Sequence, residues 1–550
     1  MRSAAAALVA ALFLTACATP PPPAGDSRAY ADYLIGRLAN SRDDYEAAAQ
    51  RYFAALERAP HDETLLNGAV VSSLASGDAA GARRAAALAP RRGAPAYAHL
   101  VRASDALVAR RWRNAGGELS AVEGAAAEEL LGRIVLVWVR AAEGRLDEAT
   151  ADLAPLSGIR PYGGLFAYQQ AMALDLAGRQ EEALTAYARA EEGGLWLPPA
   201  IERRADLLAR MGRREEAERL LDTETNRANP ALAASLQRVR AGGAVSSEPL
   251  TPARGAAVGL YGLSAIYLQE GGTTDGLAAL QLALMLDPHY DGARIAFAQQ
   301  QSQLGRYDIA RRTLADVASD SPYASAARVM DAAVLLDSDE PDQALALARV
   351  NAEGGDARAR RALADMYRSL DRHGEAEPIY TELLQATPND WRLYFARGAA
   401  RERLGRYAEA EADLQHALEL RPDQPDVLNY LGYLWVDRGE HLQEGMDLIS
   451  RAAELRPSSG AIIDSLGWAY YRMGDYGAAL DHLERAVELE PADPTLNDHL
   501  GDVYWRLNRR IEARFQWQRA LTLEADDAAA IQAKLDHGLP PAPLSRSANR

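Results

Sequence analysis

Nine histidines, one cysteine and 77 carboxylates are the groups in this 550-residue chain that could do chemistry, and their spacing withholds most of it. The histidines (His61, His99, His289, His373, His416, His441, His482, His499 and His537) never fall four apart around a glutamate. The helical zinc-hydrolase arrangement, with two imidazoles on one face and a glutamate base between them, is therefore absent. No Gly-x-Ser-x-Gly elbow is present, since Gly262-Leu-Ser264 lacks its second glycine, and no glycine-rich phosphate loop is found. Cys17 is the only cysteine, which excludes an intramolecular disulfide and a thiolate metal cluster. Aspartates and glutamates are spread over helix faces and first turns as on any solvated surface. The sequence predicts a protein without catalytic residues, metal or cofactor.

What remains is binding chemistry. Toward the C-terminal end Asn429, Tyr433, Asp464, Trp468, Tyr471, Asp498, Asp502 and Trp505 recur at similar helical positions. Aromatic rings bury area against a partner, carboxylates and an amide fix its register, and the carboxylates favour arginine or lysine on that partner. Each residue also has a purely structural reading. Tyr433 and Trp468 follow a packing glycine and could plug the gap between helix pairs; Tyr471 and Trp505 could pack on the next unit. Asp464 and Asp498 could pair with Arg472 and Arg506 on their own helices, and Asn429 could cap a helix starting near Pro425. The net charge of −17, from 60 basic and 77 acidic residues, argues against nucleic acid and anionic lipid as the main partner. Proteins or extended peptides fit better. Lys534 is the only lysine, a bias that follows from an arginine-favouring genome.

These residues sit in repeated units. In the clearest copy Ile463-Asp-Ser-Leu-Gly-Trp-Ala-Tyr is followed by Gly474-Asp-Tyr-Gly-Ala-Ala479, Leu483-Glu-Arg-Ala486 and Pro491. Pro388, Pro422, Pro457 and Pro491 are 34 or 35 apart. A small residue just inside each second helix recurs at Ala48, Ala82, Ala115, Ala149, Ala183 and Ala217, and again at Gly276, Ala310, Ala344, Ala376, Ala410, Gly445, Ala479 and Ala513. In Gly144-Arg-Leu-Asp-Glu-Ala149, Gly178-Arg-Gln-Glu-Glu-Ala183 and Gly212-Arg-Arg-Glu-Glu-Ala217 the glycine ends one helix and the acids open the next, where they complement its dipole. The alanine lets two helices cross closely. This period, with small residues at the crossings and proline after the second helix, resembles the tetratricopeptide repeat. The resemblance implies an all-α solenoid of about fourteen helical hairpins forming a right-handed superhelix. It also rules out the clamp that some repeats use to hold terminal carboxylates, which needs lysines that Trp391 to Leu523 lacks.

The phase breaks between Ala217 and Gly276, which predicts two arrays: residues 29–231 with about six units, an irregular joint at 232–256, and residues 257–536 with about eight units and a capping helix. Residues 537–550, with Pro540, Pro541 and Pro543, are expected to be a disordered tail.

At the other end Arg2, an apolar run from Ala4 to Leu14, and Leu14-Thr-Ala-Cys17 read as an export signal over residues 1–16. Leu-Thr-Ala-Cys resembles the bacterial lipobox, which implies cleavage before Cys17 and acylation of that residue. By the same analogy Ala18 favours the outer membrane. Residues 17–28, with Pro20 to Pro23, would be a polyproline-type tether. The expected location is lipid-anchored on the periplasmic face of the outer membrane, with the acyl chains as the sole membrane contact.

Asn429-Tyr-Leu-Gly-Tyr-Leu, Asp464-Ser-Leu-Gly-Trp-Ala-Tyr-Tyr and His499-Leu-Gly-Asp-Val-Tyr-Trp are similar to the C-terminal repeats of a group of proteobacterial lipoproteins. The best-known member of that group partners a periplasmic carboxyl-terminal processing protease. The resemblance implies a scaffold that binds and activates the protease and presents cell-wall hydrolases to it. Relatives that assemble an outer-membrane secretin, pilus or polysaccharide exporter are the alternative.

Overall fold

The computed structural model describes residues 27–122, 126–154, 156–246 and 249–540. Cys17, the export signal, most of the tether and the last ten residues lie outside them. Among the described residues there are 31 helices and no strand, so the expected all-α hairpin architecture is observed. None of these helices is long and apolar enough to cross a membrane.

Six hairpins come first: α1 (Ser27–Asn40) with α2 (Tyr45–Leu56), α3 (Glu63–Ala75) with α4 (Ala79–Leu88), α5 (Ala96–Val108) with α6 (Trp112–Leu119), α7 (Ala126–Ala142) with α8 (Leu146–Leu153), α9 (Gly163–Leu176) with α10 (Gln180–Glu192), and α11 (Pro198–Arg210) with α12 (Arg214–Leu221). The short α13 (Glu224–Ala228) and α14 (Pro230–Arg240) follow. Eight further hairpins are α15 (Pro252–Gln269) with α16 (Thr273–Leu286), α17 (Asp291–Gln303) with α18 (Tyr307–Ala315), α19 (Ala324–Asp337) with α20 (Pro341–Glu353), α21 (Ala357–Ser369) with α22 (His373–Ala386), α23 (Trp391–Arg403) with α24 (Tyr407–Leu420), α25 (Pro425–Arg438) with α26 (Leu442–Leu455), α27 (Gly460–Met473) with α28 (Tyr476–Leu489), and α29 (Pro494–Arg506) with α30 (Arg510–Thr522). The single helix α31 (Ala528–His537) ends the described chain.

One local device makes every hairpin. The connection always contains a residue in the left-handed region: Asp43, Gly77, Arg110, Gly144, Gly178, Gly212, Gly271, Gly305, Asp339, Asp371, Gly405, Gly439, Gly474 and Asn508. That conformation ends the first helix and turns the chain back. In several turns an arginine follows and its guanidinium bonds a glutamate three residues on, as in Arg179–Glu182, Arg213–Glu216 and Arg406–Glu409, which ties the turn to the first turn of the second helix. The alanine five residues after the turn has no exposed surface in twelve units, from Ala48 to Ala513. Gly276 and Gly445 replace it where a Cβ would meet Leu268 at 2.6 Å or the Gly432 carbonyl at 2.9 Å.

The chain forms two compact units that divide after Gly354, whereas the break in sequence phase lies at 232–256. Two packing arrangements account for the difference. First, α14 folds onto the sixth hairpin: Leu232, Leu236, Val239 and Val245 form one cluster with Ala205, Leu208, Ala217 and Leu221. Arg238 donates to the Val245 carbonyl (2.7 Å) and Arg214 to that of Val239 (2.9 Å). Second, α15 and α16 lie against the first helices α3, α5, α7 and α9 of hairpins two to five. Gly255, Gly259 and Gly262 form a stripe along α15, and a Cβ there would stand 2.3 Å from Trp138, 2.5 Å from Ile134 and 2.5 Å from Leu165. Trp138 is fully buried, and its indole N–H donates to Gln169 Oε1 (2.7 Å). Tyrosine hydroxyls fix the register: Tyr97 donates to Asp275 (2.5 Å), Tyr162 to Glu270 (3.0 Å) and Tyr267 to the Ala127 carbonyl (2.9 Å), while Tyr45 and Thr274 share a bond of 3.1 Å. From the eighth hairpin Gln301 donates to the Ala75 carbonyl (2.7 Å) and Arg306 to that of Arg42 (3.0 Å). The first helices of hairpins two to five are thus covered by later helices of the same chain.

Candidate functional site

In the second unit the corresponding face carries a cavity of about 490 Å³. Four successive first helices build it: α23 supplies Glu402 and Arg403; α25 supplies Asn429, Tyr430, Tyr433, Leu434, Asp437 and Arg438; α27 supplies Ala461, Asp464 and Ser465; α29 supplies Thr495, Leu496 and His499. Tyr407, at the start of α24, and Asp493, which caps α29, complete it. Gly432 and Gly467 place these helices: a Cβ at Gly432 would meet the Gly445 carbonyl at 2.7 Å, and one at Gly467 would meet Leu483 at 2.6 Å. Small residues on the core side let each first helix seat against its second; the residue after Gly432, Tyr433, is left on the cavity side, whereas the residue after Gly467, Trp468, is not.

Of the eight sequence-predicted residues, the cavity brings three together: Asn429, Tyr433 and Asp464. Asn429 does not act as the helix cap; that position is Gln424, and Asn429 Oδ1 is buried with no hydrogen-bond partner. Burial pushes the Tyr433 phenol well above its usual range. Asp464 reaches the cavity wall but is only 4% exposed, and its two oxygens lie 3.0 and 2.9 Å from His499 Nδ1. Burial alone would lower the pKa of His499; the charge of Asp464 and its hydrogen bond outweigh that and raise it.

The other five sit behind or beyond the wall. Trp468 is sandwiched between His499 (centroids 4.1 Å apart) and Tyr471 (4.6 Å), with its indole nitrogen buried and unbonded. The Tyr471 hydroxyl accepts from Arg506 Nε (3.0 Å). Asp498 and Asp502 both bind Lys534 of α31, at 2.7 and 2.9 Å, and Asp502 also accepts the indole N–H of Trp517 (2.9 Å). Trp505 packs on Trp517 with Arg510 over its ring. The pairings with Arg472 and Arg506 on the same helices do not form: Arg472 reaches back to Asp437 (2.9 Å) and Arg506 to Tyr471.

These bonds share one geometry. Asp437 to Arg472, Asp464 to His499, Tyr471 to Arg506 and Asp498 to Lys534 each join one first helix to the element one period later. The partner of each residue is set by the following unit, so a helix taken alone misplaces it. Sequence reasoning missed Glu402, Tyr407, Tyr430, Asp437, Asp493 and His499. No cluster of three or more histidine, cysteine, aspartate or glutamate side chains suited to a metal ion occurs among the described residues.

With this geometry in place, the comparisons with known proteins agree on the repeat. Residues 363–429 match a tetratricopeptide-repeat family model and residues 467–508 match a TPR-repeat model. These two stretches of the chain match tetratricopeptide repeats. The chain is 35% identical over 152 residues to TPR repeat-containing protein PA4667 of Pseudomonas aeruginosa, a match that covers 27% of this chain and 24% of that protein. Among solved structures, the APC/C hetero-tetramer Cut9–Hcn1 aligns over 94% of this chain and 97% of its own at 16% identity and TM-score 0.41. A tetratricopeptide repeat protein from Parabacteroides merdae aligns over 45% of this chain and 98% of its own at 17% identity and TM-score 0.39. Repeats of this kind suggest a protein–protein interaction scaffold, and no catalytic family is indicated.

Proposed function

We propose that this chain is a lipid-anchored scaffold on the periplasmic face of the outer membrane, which recruits partner proteins through the cavity of its second unit. The observation that carries the reading is a contrast between first helices: α3, α5, α7 and α9 are covered by α15 and α16, whereas α23, α25, α27 and α29 line a cavity with a buried, unbonded acceptor at Asn429. The Leu14-Thr-Ala-Cys17 motif supports the anchor. The resemblance of the last repeats to the partner of a processing protease supports that protease, together with cell-wall hydrolases, as the proteins recruited. The mechanism is binding and proximity.

A photocrosslinking residue in place of Tyr433, activated in intact cells, tests the reading. The expected adduct is a carboxyl-terminal processing protease or a cell-wall hydrolase, with the same probe at Tyr267, inside the first unit, staying silent. An adduct confined to a secretin, pilus or polysaccharide-exporter component would move the proposal to that assembly role. Absence of any adduct at Tyr433 would refute the cavity as the recruiting site. For the anchor, Cys17→Ser should shift the protein from the membrane fraction to the soluble one.

A further inference from the structure

We infer that the cavity of the second unit takes a short extended peptide segment bearing a lysine or arginine side chain; this rests on the cavity being the partner site. The charges lining it do not balance within the chain. Glu402 accepts only the Tyr430 hydroxyl (3.1 Å), and Asp493 accepts only the backbone N–H groups of Thr495 and Leu496 (2.8 and 3.1 Å). Neither has a cationic partner among the described residues. Asp437 meets Arg472 at one point and its side chain stays 54% exposed.

The cations of the lining are all engaged. Arg438 makes a two-point contact with Glu440 and covers the ring of Tyr407, Arg403 leans to Asp371 (3.4 Å), and His499 is bound to Asp464. A segment entering here therefore meets surplus negative charge from α23 and from the start of α29.

Deeper in, Asn429 Oδ1 lacks a donor. A buried acceptor without a partner favours any ligand that brings an N–H. A peptide backbone amide, ammonium or guanidinium does so; a carboxylate cannot. The rings of Tyr430 and Tyr433 suit the aliphatic stem of lysine or arginine, with the charge carried beyond them to the carboxylates. The volume is within the range of sites that enclose a small ligand. An acidic or phosphorylated segment would face Glu402, Asp493 and Asp437, with Arg403, already leaning to Asp371, as the most exposed cation of the lining to meet it.

The test uses the purified chain and a phage-displayed library of random decapeptides. Peptides whose binding is abolished by Tyr433→Ala are taken as cavity ligands and resynthesised with blocked ends. They are expected to share a lysine or arginine, and binding should weaken at least tenfold when that residue becomes norleucine. Glu402→Gln combined with Asp493→Asn keeps both hydrogen-bond roles and removes both charges; it should weaken binding at least tenfold and flatten the salt dependence. Asn429→Leu should weaken it similarly, whereas Asn429→Asp, which keeps the acceptor, should not. Circular dichroism confirms that each variant is folded. Cavity ligands with no basic preference, or indifferent to the charge-neutral pair, would overturn this inference and leave the cavity as a partner site. A library yielding no peptide sensitive to Tyr433→Ala would overturn both.

Discussion

Two inner faces built from the same hairpin behave in opposite ways. In the first unit, Gly255, Gly259 and Gly262 let α15 lie directly on Trp138, Ile134 and Leu165, and four tyrosine hydroxyls lock α15 and α16 to the hairpins around them. In the second unit the corresponding helices carry tyrosines, an asparagine and carboxylates, and among the described residues no helix packs over them as α15 and α16 do in the first. The same repeat can make a core or a cavity, and a stripe of three glycines on a later helix marks which.

The largest test of this contrast is Gly255→Val. Its Cβ alone would stand 2.3 Å from the Trp138 ring, between elements that cannot move apart without opening the core. Overpacking of this kind costs about 3 kcal/mol or more. Hydrogen exchange should rise across residues 27–354 and stay unchanged across 355–540. A uniform response, or none, would break the distinction between the two faces.

Next is Lys534→Met. The lysine holds Asp498 and Asp502 against α31 and is itself 20% exposed, so its loss strands two carboxylates in a partly solvated site. A loss of about 2 kcal/mol is expected in the second unit, below the value for a fully buried pair. Faster proteolysis after Leu523, with the first unit's melting unchanged, is the measurement.

A smaller effect belongs to His499. Its pKa is raised in the folded state, so its ion pair with Asp464 contributes fully below the ordinary histidine value near 6.5 and is lost as pH rises through the raised one. Asp498, Asp502 and Asp464 all act on the imidazole in the same direction. The second unit should therefore lose stability as pH rises above about 6.5, and His499→Asn should remove that dependence. A melting profile flat over this range in the native chain would show that the pair does not titrate there.

The smallest is a gain. Arg110 is the only arginine among the fourteen turn residues with positive φ, at 57°. Glycine adopts that region freely, so Arg110→Gly should stabilise the first unit by roughly 0.5–1 kcal/mol in urea titration. The same change at Gly144 is not available, since that turn already has glycine.

The repeat was legible because its signals are local. The turn residue, the acids after it and the alanine five positions on are set by backbone conformation and by one helix crossing, and all lie within a dozen residues. The filling of the first unit was not legible. Gly255, Gly259 and Gly262 weaken a helix when read in isolation, and their use appears only when Trp138, over a hundred positions earlier, is brought against them. The site shows the same division. Helix-face reasoning placed Asn429, Tyr433 and Asp464 on the cavity, yet it set Trp468 beside them because nothing in α27 reveals that His499 of the next unit will cover its ring. Lys534 looked like the residue of a compositional bias, and its position one period after Asp498 became meaningful only once α31 was in place.

That position has a consequence for how the array ends. Asp437 binds Arg472, Asp464 binds His499 and Asp498 binds Lys534, so α25, α27 and α29 each offer an acid and the next element answers with a base. The last helix gives the same answer that a further hairpin would give. A unit spliced in before α31, carrying an acid on its own first helix and a base at the position of Lys534, would meet the joint on one side and be met by it on the other. At these three junctions one acid–base contact is the connector.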